Sequence, residues 1–229
     1  MEAIILAGGF GTRLQTVVKD VPKPMAEING YPFLKYLLDA LITQGVTSVI
    51  LSVGYKKECI KTYFNDRYQT LKIRYASEET PLGTGGAIIQ ALSMTTHESV
   101  YVLNGDTFFE VDLNAMQTLH LNTQADITVA TKVMHDFDRY GTLTIKKGRV
   151  TAFEEKKYQT DGYINGGIYL IHKNLFNRFK IASKFSFEAD FLEQNLAQLS
   201  VHAFESEGYF IDIGIPDDYY HASTVFHGK

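Results

Sequence analysis

A short apolar run, Ala3-Ile4-Ile5-Leu6, passes directly into Ala7-Gly8-Gly9-Phe10-Gly11-Thr12-Arg13-Leu14, and this unit constrains the rest of the chain. The apolar residues read as a strand buried on both faces. Glycines at 8, 9 and 11 remove the Cβ atoms that would hold a ligand off the backbone, and they permit positive φ. Successive N–H groups in such a loop can turn inward as an anion nest. Arg13 adds a planar cation that grips phosphate oxygens in two places. Strand, glycine-rich turn and arginine together form a phosphate cradle. It is not a P-loop, because no Gly-Lys-Ser/Thr follows. Leu14 stands where the dinucleotide fingerprint requires its third glycine, which disfavours a NAD-dependent dehydrogenase.

Downstream, strands and helices alternate. Lys19 to Met25 contains two prolines and is expected to be an extended connector carrying Lys23 back toward the cradle. Pro32 opens a helix at its first turn, with Phe33, Leu34, Leu37, Leu38, Leu41 and Ile42 at helical spacing and Gly45 at its end. Strands follow at Val46 to Val53 and Leu71 to Tyr75, with a helix in Gly54 to Asp66 between them. This alternation predicts a mostly parallel sheet with helices on both faces. Glu78-Glu79-Thr80-Pro81-Leu82-Gly83-Thr84-Gly85-Gly86 then leads into a helix from Ala87 to Leu92. Three glycines ahead of a helix suit backbone recognition of a flat polar group. Glu78 and Glu79 place two carboxylates just ahead of this turn.

The strand Ser99 to Leu103 ends in Asn104-Gly105-Asp106. An acidic residue past the carboxyl end of a central strand sits where open α/β sheets bind ligands, and beside phosphates Asp106 reads as a magnesium ligand. A helix over Leu113 to Asn122 follows. From about residue 126 the pattern becomes strand-rich, at Ile127 to Val133, Gly141 to Lys146, Arg149 to Glu154 and Gly162 to His172, with a hairpin turn at Lys147-Gly148. A short helix is expected at Asn174 to Phe179, and a longer one at Phe187 to Gln198 with Ser186 as N-cap. Val201 to Glu205 is an edge or returning strand. Tyr209 to Ile211 is another, followed by Asp212, a turn at Gly214, and a helix from Pro216 through Val225.

These motifs resemble the sugar-1-phosphate nucleotidyltransferases, whose signature is G-G-x-G-T-R-L followed by a Lys-Pro element, here Lys23-Pro24. Nearly the whole chain can be laid on that pattern. Tyr140-Gly141, Phe153-Glu154-Glu155-Lys156 (F-x-E-K), Asn165-Gly166-Gly167-Ile168-Tyr169 (N-x-G-I-Y) and Phe210-Ile211-Asp212-Ile213-Gly214-Ile215-Pro216 (W-x-D-I-G-T-P) match it further. The chain departs from it at Thr16 and Lys157, where relatives often have proline, and at Phe210 and Ile215. The resemblance implies one domain of the nucleotide-diphospho-sugar transferase fold, Rossmann-like. It would have a nucleotide-binding half over about residues 1–125 and a strand-rich, sugar-phosphate-binding half over about 126–229. It implies nucleotide contacts at Leu6, Ala7, Gly8, Gly9, Gly11, Thr12, Arg13, Lys23, Glu78, Glu79, Gly83 and Thr84. Sugar-phosphate contacts would come from Gly141, Glu155, Lys156, Asn165 and Gly166. Mg2+ would be held by Asp106 and Asp212, and Arg13, Lys23 and Asp106 would serve catalysis. Taken alone, Glu155-Lys156 is a solvated charge pair and Lys23 a loop lysine.

The implied reaction joins a nucleoside triphosphate, here GTP, to a sugar 1-phosphate and releases pyrophosphate. The phosphate nucleophile is already ionised, so no general base is needed; catalysis is positioning and charge stabilisation. Within the family the likeness is to the short guanylyltransferases of D-glycero-α-D-manno-heptose 1-phosphate, which serve surface polysaccharides such as capsule. Mannose-1-phosphate guanylyltransferases and N-acetylmuramate-1-phosphate uridylyltransferases are the alternatives. A non-catalytic nucleotide-sugar sensor would be expected to lose Arg13, Lys23 or an aspartate, and all are present.

Composition narrows the partners. A chain of 229 residues with 45% hydrophobic content supports a sizeable core, and a net charge of −4 argues against a general nucleic-acid binder. Cys59 is the single cysteine and reads as a packing residue in a helix; one thiol is consistent with the reducing cytoplasm. No signal peptide, membrane span, zinc-ligand spacing or C-terminal β-helix extension is expected. An oligomer is compatible with the sequence.

Overall fold

The computed structural model describes residues 1–9, 14, 17–18, 20–154 and 157–226. Strand β1 (Glu2–Leu6) carries the fully buried Ala3, Ile4 and Ile5, as its apolar run requires. Lys23–Met25 form one 3₁₀ turn, where an extended connector was expected. Pro22 is the extended residue, and the Ala26 N–H closes the turn on the Lys23 carbonyl. The ribbon β2 (Glu27–Ile28) and β3 (Tyr31–Pro32) leads into α1 (Phe33–Thr43). Pro32 precedes this helix as its N-cap instead of opening its first turn, because its ψ of 140° is extended and it pairs with Glu27. Then come β4 (Ser48–Val53), α2 (Lys57–Phe64), β5 (Arg67–Tyr68) and β6 (Leu71–Ser77). Cys59 lies on α2.

The next helix, α3 (Gly83–Leu92), begins four residues before the expected Ala87, so Gly83, Gly85 and Gly86 form its first turn. Packing explains this: a Cβ on Gly85 would lie 2.1 Å from the Phe185 ring, and the Gly85 N–H donates to the Phe185 carbonyl. The chain continues through β7 (Ser99–Asn104), β8 (Thr107–Phe109) and α4 (Leu113–Thr123), which Asp112 caps by accepting from the Ala115 N–H. The strand-rich half holds β9 (Ile127–Phe137), β10 (Thr142–Lys146), β11 (Arg149–Glu154) and β12 (Gln159–His172). Lys147 and Gly148 both have positive φ, the conformation a two-residue hairpin needs. A 3₁₀ turn at Leu175–Arg178 precedes a helical run made of Phe187–Leu192, α5 (Glu193–Asn195) and Leu196–Gln198. Ser186 caps the run as expected. The described chain ends with β13 (Val201–Glu205), β14 (Phe210–Asp212) and α6 (Pro216–Val225).

One ten-stranded sheet runs through both halves. Around β1 the neighbours β4, β7 and, beyond β4, β6 are all parallel, as the strand–helix alternation predicts. Strand β12 joins β7 antiparallel through Ile168–His172, while its earlier residues pair with β9 and β10. Further pairings of β9 with β13, β13 with β11 and β11 with β10 complete a five-stranded ring. Val201–Glu205 is therefore an interior returning strand, not an edge. Two core clusters lie on the two faces, one centred on Ile5, Phe33, Leu38 and Phe108 and the other on Ile4, Ile88, Phe187 and Phe191. Alternation of Ile4 and Ile5 between these clusters follows from the period of a strand. No helix among the described residues is long and apolar enough to cross a membrane.

Candidate active site

The carboxyl ends of β1, β4 and β7 open into a cavity of about 580 Å³. Leu6, Ala7, Gly8, Gly9, Lys23, Glu78, Glu79, Gly83, Thr84 and Asp106 line it together. Gly11, Thr12 and Arg13 lie outside the described residues. The Ala7 N–H donates to the Ser52 carbonyl at 2.8 Å, which ties the start of the loop to β4. A Cβ on Gly8 would sit 2.9 Å from Glu78 Oε1 and 3.2 Å from the Gly54 amide nitrogen, so only glycine fits there without movement. The two glutamates differ in setting. Glu78 is half-buried; its Oε2 accepts from the Leu82 N–H at 2.9 Å and its Oε1 from the Ser52 hydroxyl at 3.4 Å. Glu79 projects outward and pairs with Lys57 at 3.2 Å. Thr84 Oγ1 accepts from the Phe187 N–H, which joins this wall to the helical run of the second half.

Asp106 follows β7, and its carbonyl accepts from the Ile213 N–H at 3.0 Å. The β8–β14 ribbon pairs Thr107 with Asp212. Two aspartates 106 positions apart in sequence thus meet at one place. Gly105 allows the close passage from β7 into Asp106: its N–H donates to the Leu6 carbonyl at 3.0 Å, and a Cβ there would lie 2.6 Å from that oxygen. Lys23 Nζ lies 3.0 Å from Asp106 Oδ2. Burial and the neighbouring Asp106 charge push the Asp212 carboxyl above its usual range, against the Gly214 N–H and Lys23, which favour its ionised form. A pair of hard oxygen donors carrying more negative charge than one lysine offsets fits a small divalent cation whose remaining ligands are phosphates and water.

A second cavity, about 550 Å³, lies beyond these aspartates; Asn104 lines both, Asp106 the first and Asp212 the second. Gly141 and Asn165 line the second cavity, whereas Glu155 and Lys156 lie outside the described residues. Gly166 is not among its lining residues: it is buried, and a Cβ on it would strike the Phe109 ring, so its small size serves packing. At the register shift in β12, Gly167 takes a φ of +71° and its N–H donates to Asn165 Oδ1. Asn165 Nδ2 donates to the Tyr169 hydroxyl oxygen at 2.6 Å and to Glu188 Oε1 at 3.1 Å, and the Tyr169 hydroxyl donates to the same Glu188 oxygen. Burial, then the Glu188 charge, holds the Tyr169 hydroxyl well above its ordinary pKa, so it stays a donor. Sequence reasoning missed Ser52, Gly54, Tyr55 and Asn104 in the first cavity and Glu188 and Glu193 in the second. The rule that ligands gather at strand carboxyl ends points to the first group; nothing local marks Glu188 or Glu193.

The chain is 52% identical over 96% of its length to a D-glycero-alpha-D-manno-heptose 1-phosphate guanylyltransferase of Aneurinibacillus thermoaerophilus, covering 95% of that protein. It is 51% identical to one of Campylobacter jejuni, covering 96% of this chain and 98% of that one. The crystal structure of HddC from Yersinia pseudotuberculosis complexed with GMP-PN superposes with a TM-score of 0.87 at 40% identity, over 98% of this chain and 99% of that one. The Nucleotidyl transferase family model matches residues 2–227, and the chain belongs to that family.

Proposed function

We propose that this protein is a guanylyltransferase that moves GMP from GTP onto a sugar 1-phosphate, D-glycero-α-D-manno-heptose 1-phosphate by preference, giving a GDP-sugar and pyrophosphate. The meeting of Asp106 and Asp212 between two cavities carries the reading, since it gives each substrate its own chamber with shared carboxylates at the junction. The two relatives of about 50% identity, both heptose 1-phosphate guanylyltransferases, support the choice of substrates.

In this reading Gly8 and Gly9 bring the loop backbone against the triphosphate, with Arg13 and Lys23 neutralising it. Glu78 reads guanine, because its carboxylate is already fixed against Gly8 and Leu82 inside the cavity, while Glu79 is spent on Lys57. Asp106 and Asp212 would hold Mg2+, which when bound supplies charge stabilisation to the reacting phosphates. Lys23 remains beside them to offset charge on the α-phosphate. In the second cavity Asn165 and Tyr169 fix Glu188 as an acceptor for sugar hydroxyls, and Lys156 anchors the sugar phosphate. The division near residue 126 into nucleotide and sugar-phosphate halves of one domain belongs to the same proposal. So do the cytoplasm as the compartment and surface polysaccharide, such as capsule, as the destination of the GDP-sugar.

The test is incubation with Mg2+, heptose 1-phosphate and each nucleoside triphosphate in turn, following pyrophosphate release and the nucleotide-sugar product. GTP should give the highest kcat/KM, and Asp106→Asn and Asp212→Asn should abolish turnover while the protein stays folded. A higher kcat/KM with UTP or dTTP overturns the guanylyl assignment.

A further inference from the structure

The second cavity has an unusual charge balance for a chamber that takes a phosphate ester. Its described lining includes Glu154, Glu188, Glu193 and Asp212, and no lysine or arginine. A sugar 1-phosphate brings a charge of about −1.5 to −2 of its own at neutral pH, the scale for a phosphate monoester. Taking the Asp212 end as the phosphate end, repulsion from that many carboxylates favours a further cation there beside Lys156, which the proposed function already assigns to the phosphate and which lies outside the described residues.

Arg139 borders that end without belonging to the cavity's described lining: its pKa is raised by the Asp218 hydrogen bond first, and the Asp212 charge also reaches it. Its guanidinium lies 5.6 Å from the centroid of the Tyr140 ring, and Tyr140 is a wall of the cavity. Tyr140 packs edge-on against Phe210, two residues before Asp212, at 5.7 Å between centroids. Asp218, in the first turn of α6, takes the Arg139 Nη1 in an ion pair of 2.7 Å. A guanidinium offers five N–H donors in a planar fork, so one carboxylate oxygen does not exhaust it. The Arg139 side chain remains 45% exposed, which leaves room for an incoming anion.

We infer that Arg139, stacked on Tyr140 and steadied by Asp218, is a binding residue for the phosphate of the sugar 1-phosphate. This rests on the proposed reaction and adds to it a second cation beside Lys156. Arginine suits the task better than lysine because two N–H groups can meet two phosphate oxygens at once.

Steady-state kinetics of Arg139→Met and Arg139→Lys test it, with GTP, Mg2+ and D-glycero-α-D-manno-heptose 1-phosphate. Arg139→Met should raise the KM for the sugar phosphate tenfold or more, with kcat within about threefold and the KM for GTP within about twofold of native. Arg139→Lys should lie between the two. Competition by unphosphorylated heptose should be the same for native and Arg139→Met, since only the phosphate contact is lost. An unchanged sugar-phosphate KM in Arg139→Met overturns the inference. So does an equal rise for GTP, or equal weakening of the unphosphorylated sugar, both of which mark a structural residue. A native protein that turns over no GTP with this sugar phosphate defeats the proposed reaction instead, and is seen before any variant is made.

Discussion

Lys23 Nζ and Asp106 Oδ2 are 3.0 Å apart, so an ammonium sits beside the carboxylate proposed to hold the divalent cation. Lysine and metal cannot both neutralise that oxygen fully. Lys23→Met should therefore raise the affinity of the nucleotide-free protein for Mn2+, read by electron paramagnetic resonance, several-fold. The same variant should lose roughly 10²–10³ in kcat, the scale for one preorganised charge donor. Unchanged Mn2+ affinity would show that the ion pair does not compete with metal.

Base choice separates the two glutamates. Glu78→Gln removes an acceptor that faces the nucleotide cavity and is fixed by the Leu82 N–H. Preference for GTP over UTP should fall on the order of 10²-fold or more, since a site built for a polar edge rejects ligands that lack it. Glu79→Gln should change this ratio less than threefold. The reverse ranking of the two variants in kcat/KM would transfer the role to Glu79.

At Gly105 the neighbour that a methyl group would meet is backbone, 2.6 Å away at the Leu6 carbonyl oxygen, and it cannot rotate aside. Gly105→Ala should cost about 1–3 kcal/mol, the usual range for overpacking, and lower turnover by displacing Asp106. Urea denaturation and kcat measured on the same preparation check both parts. Native-like stability in this variant would contradict the close approach of β1 and β7 at their carboxyl ends.

The opposite end of β1 gives a pH prediction. Burial would raise the Glu2 carboxyl, but the N–H groups of Thr96 and His97 and their side chains outweigh it and bring its pKa from 4.5 to about 2. A carboxylate with a depressed pKa stabilises the fold fully above its unfolded value and loses that contribution as pH falls through the folded one. Glu2→Gln should therefore be less stable than native at pH 7, with the gap narrowing between about pH 4.5 and 2. Denaturation midpoints that differ by a constant amount from pH 7 to pH 2.5 would rule this out.

Much of the architecture was legible because each signal was local. Ala3 to Leu6 announces a buried strand, Lys147-Gly148 a hairpin, and Ser186 a helix start, and the structure shows each. Helix α3 begins earlier than its glycines suggest because Phe185, about a hundred residues away, fills the space where side chains on Gly83 and Gly85 would be. Pro32 was misplaced because its pairing with Glu27 extends its ψ, which proline's fixed φ does not reveal. In the site, Asp106 and Asp212 stand out by position at strand ends. Glu188 did not, because its partners Asn165 and Tyr169 reach it only after β12 and the following helical run have folded together.

The ring made by β10, β11, β13, β9 and β12 leaves those strands paired on both sides over at least part of their length. At the other end the ten-stranded sheet finishes in β5, which is only two residues long. A sheet this wide would ordinarily offer a long ladder of unpaired amides and carbonyls to a passing chain. Here one end of the ladder is turned back on itself, and at the other β5 covers only Leu71 and Lys72 of β6, so the template for strand addition from another molecule narrows to the rest of that one strand.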